Sequence, residues 1–146
     1  MKHLCSSVFT GGLIALSSGA SAEVTAKDAW VRGTVPAQKV TAAFMTLTST
    51  EDAKIVGATS PAAKKTEIHA SMMMGSVNHM HAVDAIVLPA GKPVELKPGG
   101  YHVMLMDLAK QVKPGESVPI VFTIEGKGGK RTQLEVKAEV RPLGAR

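Results

Sequence analysis

Apolar and polar positions alternate through most of the chain. Over residues 41–49, Ala43, Met45 and Leu47 fall on one side; over 117–124, Val118, Ile120, Phe122 and Ile124 do the same. Residues 131–141 set Leu134, Val136, Ala138 and Val140 against charged neighbours. A period of two with one polar set is the mark of half-buried strands in a sheet with one wet face. Shorter strands are expected at 26–32, 54–59, 65–70, 85–88, 94–96 and 101–106. Turn residues separate them: Val35-Pro36, Ser60-Pro61, Pro89-Ala90-Gly91, Lys97-Pro98-Gly99-Gly100, Lys113-Pro114-Gly115 and Gly126-Lys127-Gly128-Gly129. No stretch sustains a 3.6-residue period. The pattern predicts an all-β sandwich or small barrel. Residues 71–82 break it, being polar and rich in methionine, and read as a loop or irregular hairpin.

The length, 146 residues, suits one domain. The first 22 residues read as a secretory signal peptide: Met1-Lys2-His3 is basic, residues 8–16 are mostly apolar, and Ala20-Ser21-Ala22 has the small-x-small form of a cleavage site. The apolar run falls short of the roughly 20 residues a bilayer-spanning helix needs, so no membrane span is expected. Cys5 precedes that run, whereas a lipid-modified cysteine would follow it. The expectation is an exported, periplasmic domain over residues 23–146. The only cysteine, Cys5, leaves with the leader. That excludes a disulfide framework, thiol redox chemistry and a blue-copper site, which needs a thiolate. Without Lys2, 16 basic residues stand against 12 acidic ones, scattered rather than striped. One Trp, one Tyr and few Phe offer no stacking platform, so nucleic acid is not an expected partner.

Beyond the leader there are four histidines, His69, His79, His81 and His102, and seven methionines. Six of the methionines (Met72, Met73, Met74, Met80, Met104 and Met106) fall in the same central window as every histidine. Methionine is a common core filler, but packing alone does not predict this clustering. In residues 101–106 the alternation puts His102, Met104 and Met106 on one face and Val103 and Leu105 on the other, core-like face. In residues 65–70, Ile68 takes the apolar side, leaving Lys65, Glu67 and His69 opposite. Imidazole with thioether is a soft, neutral donor set that selects Cu(I). Zinc spacings such as H-E-x-x-H or C-x-x-C are missing. Glu67 and Asp107 are the nearest acids and read as solvated strand positions. No Ser-His-Asp set, carboxylate pair or phosphate loop is legible, so no catalytic role is expected.

His69, Met80, His102 and Met104 are spaced H-x10-M-x21-H-x-M. This spacing resembles the signature of the periplasmic copper chaperone family PCu(A)C. Flanking segments resemble it too: Ala29-Trp30-Val31-Arg32, Glu67-Ile68-His69, Leu88-Pro89-Ala90-Gly91, and residues 98–106 from Pro98 to Met106. The resemblance runs from about Asp28 to Val140. It implies a cupredoxin-like Greek-key β-sandwich that holds one Cu(I) through His69, Met80, His102 and Met104. It also implies delivery towards the binuclear copper centre in the copper subunit of cytochrome c oxidase, alongside a Sco-type thioredoxin-fold protein. Two features depart from the family: Ala70 stands where many members have Met, and residues 141–146 lack the His and Met of a copper-binding tail. The sequence leaves open whether Met72 to Met74, His79 and His81 bind a second ion or cover the loop. Two other readings stand beside the chaperone: a copper buffer for tolerance with no client, and a structural sandwich without metal.

Overall fold

The computed structural model describes residues 22–145; apart from Ala22, the expected leader lies outside the described residues. Ten strands follow one another: β1 (Val24–Arg32), β2 (Val40–Ser49), β3 (Ala53–Thr59), β4 (Ala63–Met74), β5 (Val77–Ala82), β6 (Ile86–Leu88), β7 (Val94–Leu96), β8 (Tyr101–Leu108), β9 (Ser117–Glu125) and β10 (Arg131–Arg141). They hydrogen-bond in the order β5-β4-β8-β7-β2-β1-β10-β9-β3-β6, with β8 also paired to β2. The inward faces of β2, β4 and β8 share one core with those of β3, β9 and β10. Met45, Leu47, Ile68, Val103 and Leu105 join Ile55, Ile120, Phe122, Val136 and Val140 in it. Each large side chain so buried contributes about 1.5–3 kcal/mol. The expected all-β sandwich is therefore present, built from one open sheet folded over its own core.

Every expected strand is found, with ends shifted by a few residues. The turn after β9 holds Gly128 and Gly129 at φ of 71° and 75°, the left-handed region expected of that glycine run. Residues 71–82 differ from expectation. They are neither loop nor irregular: β4 runs on to Met74, and β5 pairs with it in unbroken register from His69↔Ala82 to Met74↔Val77. Gly75, at φ 67°, helps close the two-residue connection. All of β5 is exposed, as is β4 from Met72 onward. With both faces wet, no alternation of apolar and polar residues marks these strands in the sequence.

A bulge in β1 prepares the site. The register to β2 shifts between Lys27 and Trp30, with Asp28 at φ 53°. The extra residue reverses the alternation, so Val31 enters the core and Trp30 turns to the outer face. There Trp30 packs on Phe44, ring centroids 4.7 Å apart.

Candidate metal centre

β4 and β8 are antiparallel neighbours, and their register sets His69 opposite His102 and Glu67 opposite Met104. On the other side of β4, β5 places Met80 opposite Ser71. Residues two apart on a strand share a face, so His69, Met80, His102 and Met104 all lie on one face of three adjacent strands. It is the outer face, because Ile68, Val103 and Leu105 of the same strands go to the core. A cleft of about 370 Å³ opens here, with Met80, His102, Met104, Ser71, Asn78 and Arg32 among its lining residues. His69 lies beside it, its ring centroid 5.8 Å from that of His102.

The two imidazoles are held differently. His102 is only 3% exposed, with Phe44 at 6.3 Å between ring centroids. Its Nδ1 lies 3.1 Å from the Gly100 carbonyl oxygen. A carbonyl only accepts, so Nδ1 carries the proton and Nε2 keeps a lone pair. His69 is the mirror case: Nε2 lies 2.8 Å from Glu67 Oε2. The neutral ring therefore donates from Nε2 and leaves Nδ1 bare. These two bare nitrogens, His69 Nδ1 and His102 Nε2, are buried and have no hydrogen-bond partner in the protein. An unsatisfied buried polar atom costs about 1–3 kcal/mol. Two such atoms on neighbouring rings are lone pairs that no group of the protein satisfies.

Electrostatics favour a neutral His102 and an ionised Glu67. Burial holds the His102 pKa below the ordinary histidine value, and the charges of His69 and Arg32 add to this against the opposing Gly100 hydrogen bond. The neutral ring is thus the preferred one. The Glu67 carboxyl is held below its usual range, first by the hydrogen bond from Lys65 and then by that from His69. It stays an anion that orients the His69 ring. Arg32 lies over Phe44, its guanidinium carbon 5.4 Å from the ring centroid. Among the described residues no three His, Cys, Asp or Glu side chains gather into a metal-holding group. The sulfur-bearing side chains that line the cleft on this face are Met80 and Met104, and thioether sulfur is a soft donor.

Other expectations resolve plainly. Met45 is core, 3% exposed. Met106 is half-buried, opposite Lys65 and Val40. Met72, Met73 and Met74 are exposed, and none of them lines the cleft. Glu67 is more than a solvated strand position, since it fixes His69. Its place two residues before His69 on the same face was a legible signal. Phe44 had none, and Arg32 only its place in the family-like segment from Ala29 to Arg32, because their approach to His102 depends on long-range pairing of β1, β2 and β8.

A family model, LpqE-like, matches residues 24–139. The Leifsonia xyli subsp. xyli protein Lxx21020, which like the family carries a lipoprotein name, is 33% identical over 102 residues. That match covers 68% of this chain and 60% of Lxx21020, so the chain spans about three-fifths of its relative's length. Among solved structures, Cu(I)-DR1885 from Deinococcus radiodurans is 36% identical, covering 87% of this chain and 85% of that one with a TM-score of 0.59. The copper-bound PCuAC domain from PmoF2 is 21% identical, covers 82% and 92% of the two chains, and has a TM-score of 0.62. The fold is that of the cupredoxin-like PCuAC domains. By the match across residues 24–139 and the likeness to DR1885, the chain belongs to the LpqE-like family, of the PCu(A)C copper chaperone type.

Proposed function

We propose that this chain is a periplasmic carrier of one Cu(I), bound by His69, Met80, His102 and Met104, and that it passes the ion on rather than catalysing a reaction. The observation that carries this reading is the pair of buried, unpartnered nitrogens, His69 Nδ1 and His102 Nε2, on rings 5.8 Å apart. In this reading those two atoms take the metal, and the sulfurs of Met104 and Met80 complete a neutral donor set from the same face. Such a set leaves a net charge of +1 with Cu(I) and +2 with Cu(II), and burying the larger charge is more costly. Arg32 at the cleft adds to that penalty. Cu(I) bound to DR1885 and copper bound to the PmoF2 domain support the choice of ion.

An exported location rests on the leader read from residues 1–22 and on the lipoprotein names of the relatives. Among the described residues no helix is long and apolar enough to cross a membrane. Delivery to the copper subunit of cytochrome c oxidase, with a Sco-type protein, follows from the family resemblance. Anaerobic titration with Cu(I) against a competing chelator tests the site. One tight equivalent is expected, lost in His102→Ala and in Met104→Ala while circular dichroism shows the fold intact. Equal binding by the native protein and Met104→Ala would overturn the ligand set. Deleting the gene and measuring oxidase copper at limiting copper tests delivery: a normal copper content leaves a buffer.

A further inference from the structure

The β4–β5 hairpin carries a second group of soft donors, on the face turned away from the cleft. The register pairs Met72 with His79, Ala70 with His81 and Met74 with Val77. Directly opposed residues share a face, so Met72, His79 and His81 lie together with Met74 alongside. The hairpin residues that line the cleft are Ser71, Asn78 and Met80, and none of this second set is among them. Met80 thus points one way while His79 and His81, its chain neighbours, point the other.

We propose that Met72, His79 and His81 form a second soft-metal site on the reverse face of the hairpin. Opposed Cβ atoms in a sheet are about 4.5–5.5 Å apart. Residues i and i+2 on a strand are about 6.5–7 Å apart. The His79 and His81 rings therefore span one ion, and the flexible thioether of Met72 reaches the same point from across the pair. Packing does not explain these residues: Met72 is 53% and Met74 62% exposed, and both histidines are exposed. The donor chemistry, two imidazoles and at least one thioether, suits a monovalent copper or silver ion. Exposure to water makes the site weaker than the half-buried one, as an acquisition point for the ion needs to be. The inference rests on the proposed function only for the identity of the natural ion.

The test is titration with Ag(I), a redox-inert stand-in for Cu(I), followed by the imidazole NMR signals. The native protein is expected to bind two equivalents, the second more weakly and with shifts at His79 and His81. His102→Ala/Met104→Ala keeps one equivalent, the weaker, and His79→Ala/His81→Ala keeps one, the tighter. Met72→Leu, which holds size and apolarity but removes sulfur, weakens the second equivalent. Because every mutated hairpin side chain is exposed, these variants test binding rather than folding, and circular dichroism checks this. The inference is overturned if His102→Ala/Met104→Ala binds no silver, if His79→Ala/His81→Ala still binds two, or if Met72→Leu matches the native protein. If the native protein binds one ion, lost only with His79 and His81, the reverse site stands and the cleft-side reading fails.

Discussion

Replacing His102 with phenylalanine separates what the fold wants at this position from what a metal wants. His102 is 3% exposed and its Nε2 has no partner in the protein. Removing that atom recovers about 1–3 kcal/mol. The variant also loses the Nδ1–H bond to the Gly100 carbonyl, worth about 1 kcal/mol. That carbonyl does not become an orphan, because the Ser71 N–H also donates to it at 3.0 Å. The larger ring has room in the adjoining 370 Å³ cleft, and the contact with Phe44 becomes a pair of aromatic rings. The net expectation is a metal-free His102→Phe more stable than the native protein by about 1 kcal/mol, or about 3–5 °C in Tm for a domain of this size. Copper reverses the order. At free Cu(I) about 100 times Kd, the native state gains about 2.7 kcal/mol while a variant that cannot bind gains nothing. Thermal unfolding by circular dichroism, with free Cu(I) set by a chelator, reads both orders. The reasoning fails if metal-free His102→Phe melts below the native protein, or if copper raises both midpoints equally.

Glu67→Gln keeps the size of the side chain and removes the charge that orients His69. Cu(I) affinity should fall about tenfold, the low end for an outer partner of a ligating histidine because Glu67 is partly exposed. An unchanged value in chelator competition would show that the carboxylate does not set the ring. The depressed His102 pKa gives a signed pH dependence. Below the ordinary histidine value of about 6.5 the unfolded chain takes up a proton that the folded one refuses, so metal-free stability falls as pH drops from there towards the folded pKa. Urea midpoints between pH 7.5 and 5 should show this component in the native protein and lack it in His102→Phe. Gly75→Ala forces a side chain into φ 67° with no neighbouring atom in the way, so the cost is backbone strain alone, about 1–2 kcal/mol. Hydrogen exchange should quicken in β5 and the end of β4 but not in β9; uniform quickening would show that the hairpin does not open on its own.

The strands that bury one face were legible, because Val118 to Ile124 and Leu134 to Val140 write their burial into a period of two. So was the outward turn of His69, His102 and Met104, each next to at least one core residue of the opposite parity: Ile68, Val103 or Leu105. The hairpin beyond Ala70 was not, since water on both sides leaves β-structure no hydrophobic signature. Long-range features were equally silent. The parallel pairing of β1 with β10 joins residues over a hundred positions apart, and the bulge at Asp28 that turns Trp30 outward has no glycine to announce it. Those features decide why His102 is buried on an outer face: Trp30, Phe44 and Arg32 build a lid there from two strands distant in sequence. Which side chains carry soft donor atoms could thus be read locally, whereas the burial of His102, and with it the preference for a neutral ring, is a property of the assembled sheet.

The side chains of the proposed site also differ in how firmly the sheet holds them. His69 and His102 lie on β4 and β8, each paired with strands on both sides, whereas Met80 lies on β5, the last strand of the sheet, and is 54% exposed. Opening free energies in folded proteins are lowest where few buried contacts resist, so β5 loosens before β8. On the copper reading this ranks the bonds to the ion. The nitrogens are fixed by the core beneath them and by Gly100 and Glu67, while the Met80 sulfur can leave with a movement of the edge strand alone. An incoming partner thiolate or thioether then has to displace one neutral sulfur at the open side of the cleft, with the two imidazoles still holding the ion. Transfer by successive exchange follows without unfolding any strand that contributes to the core.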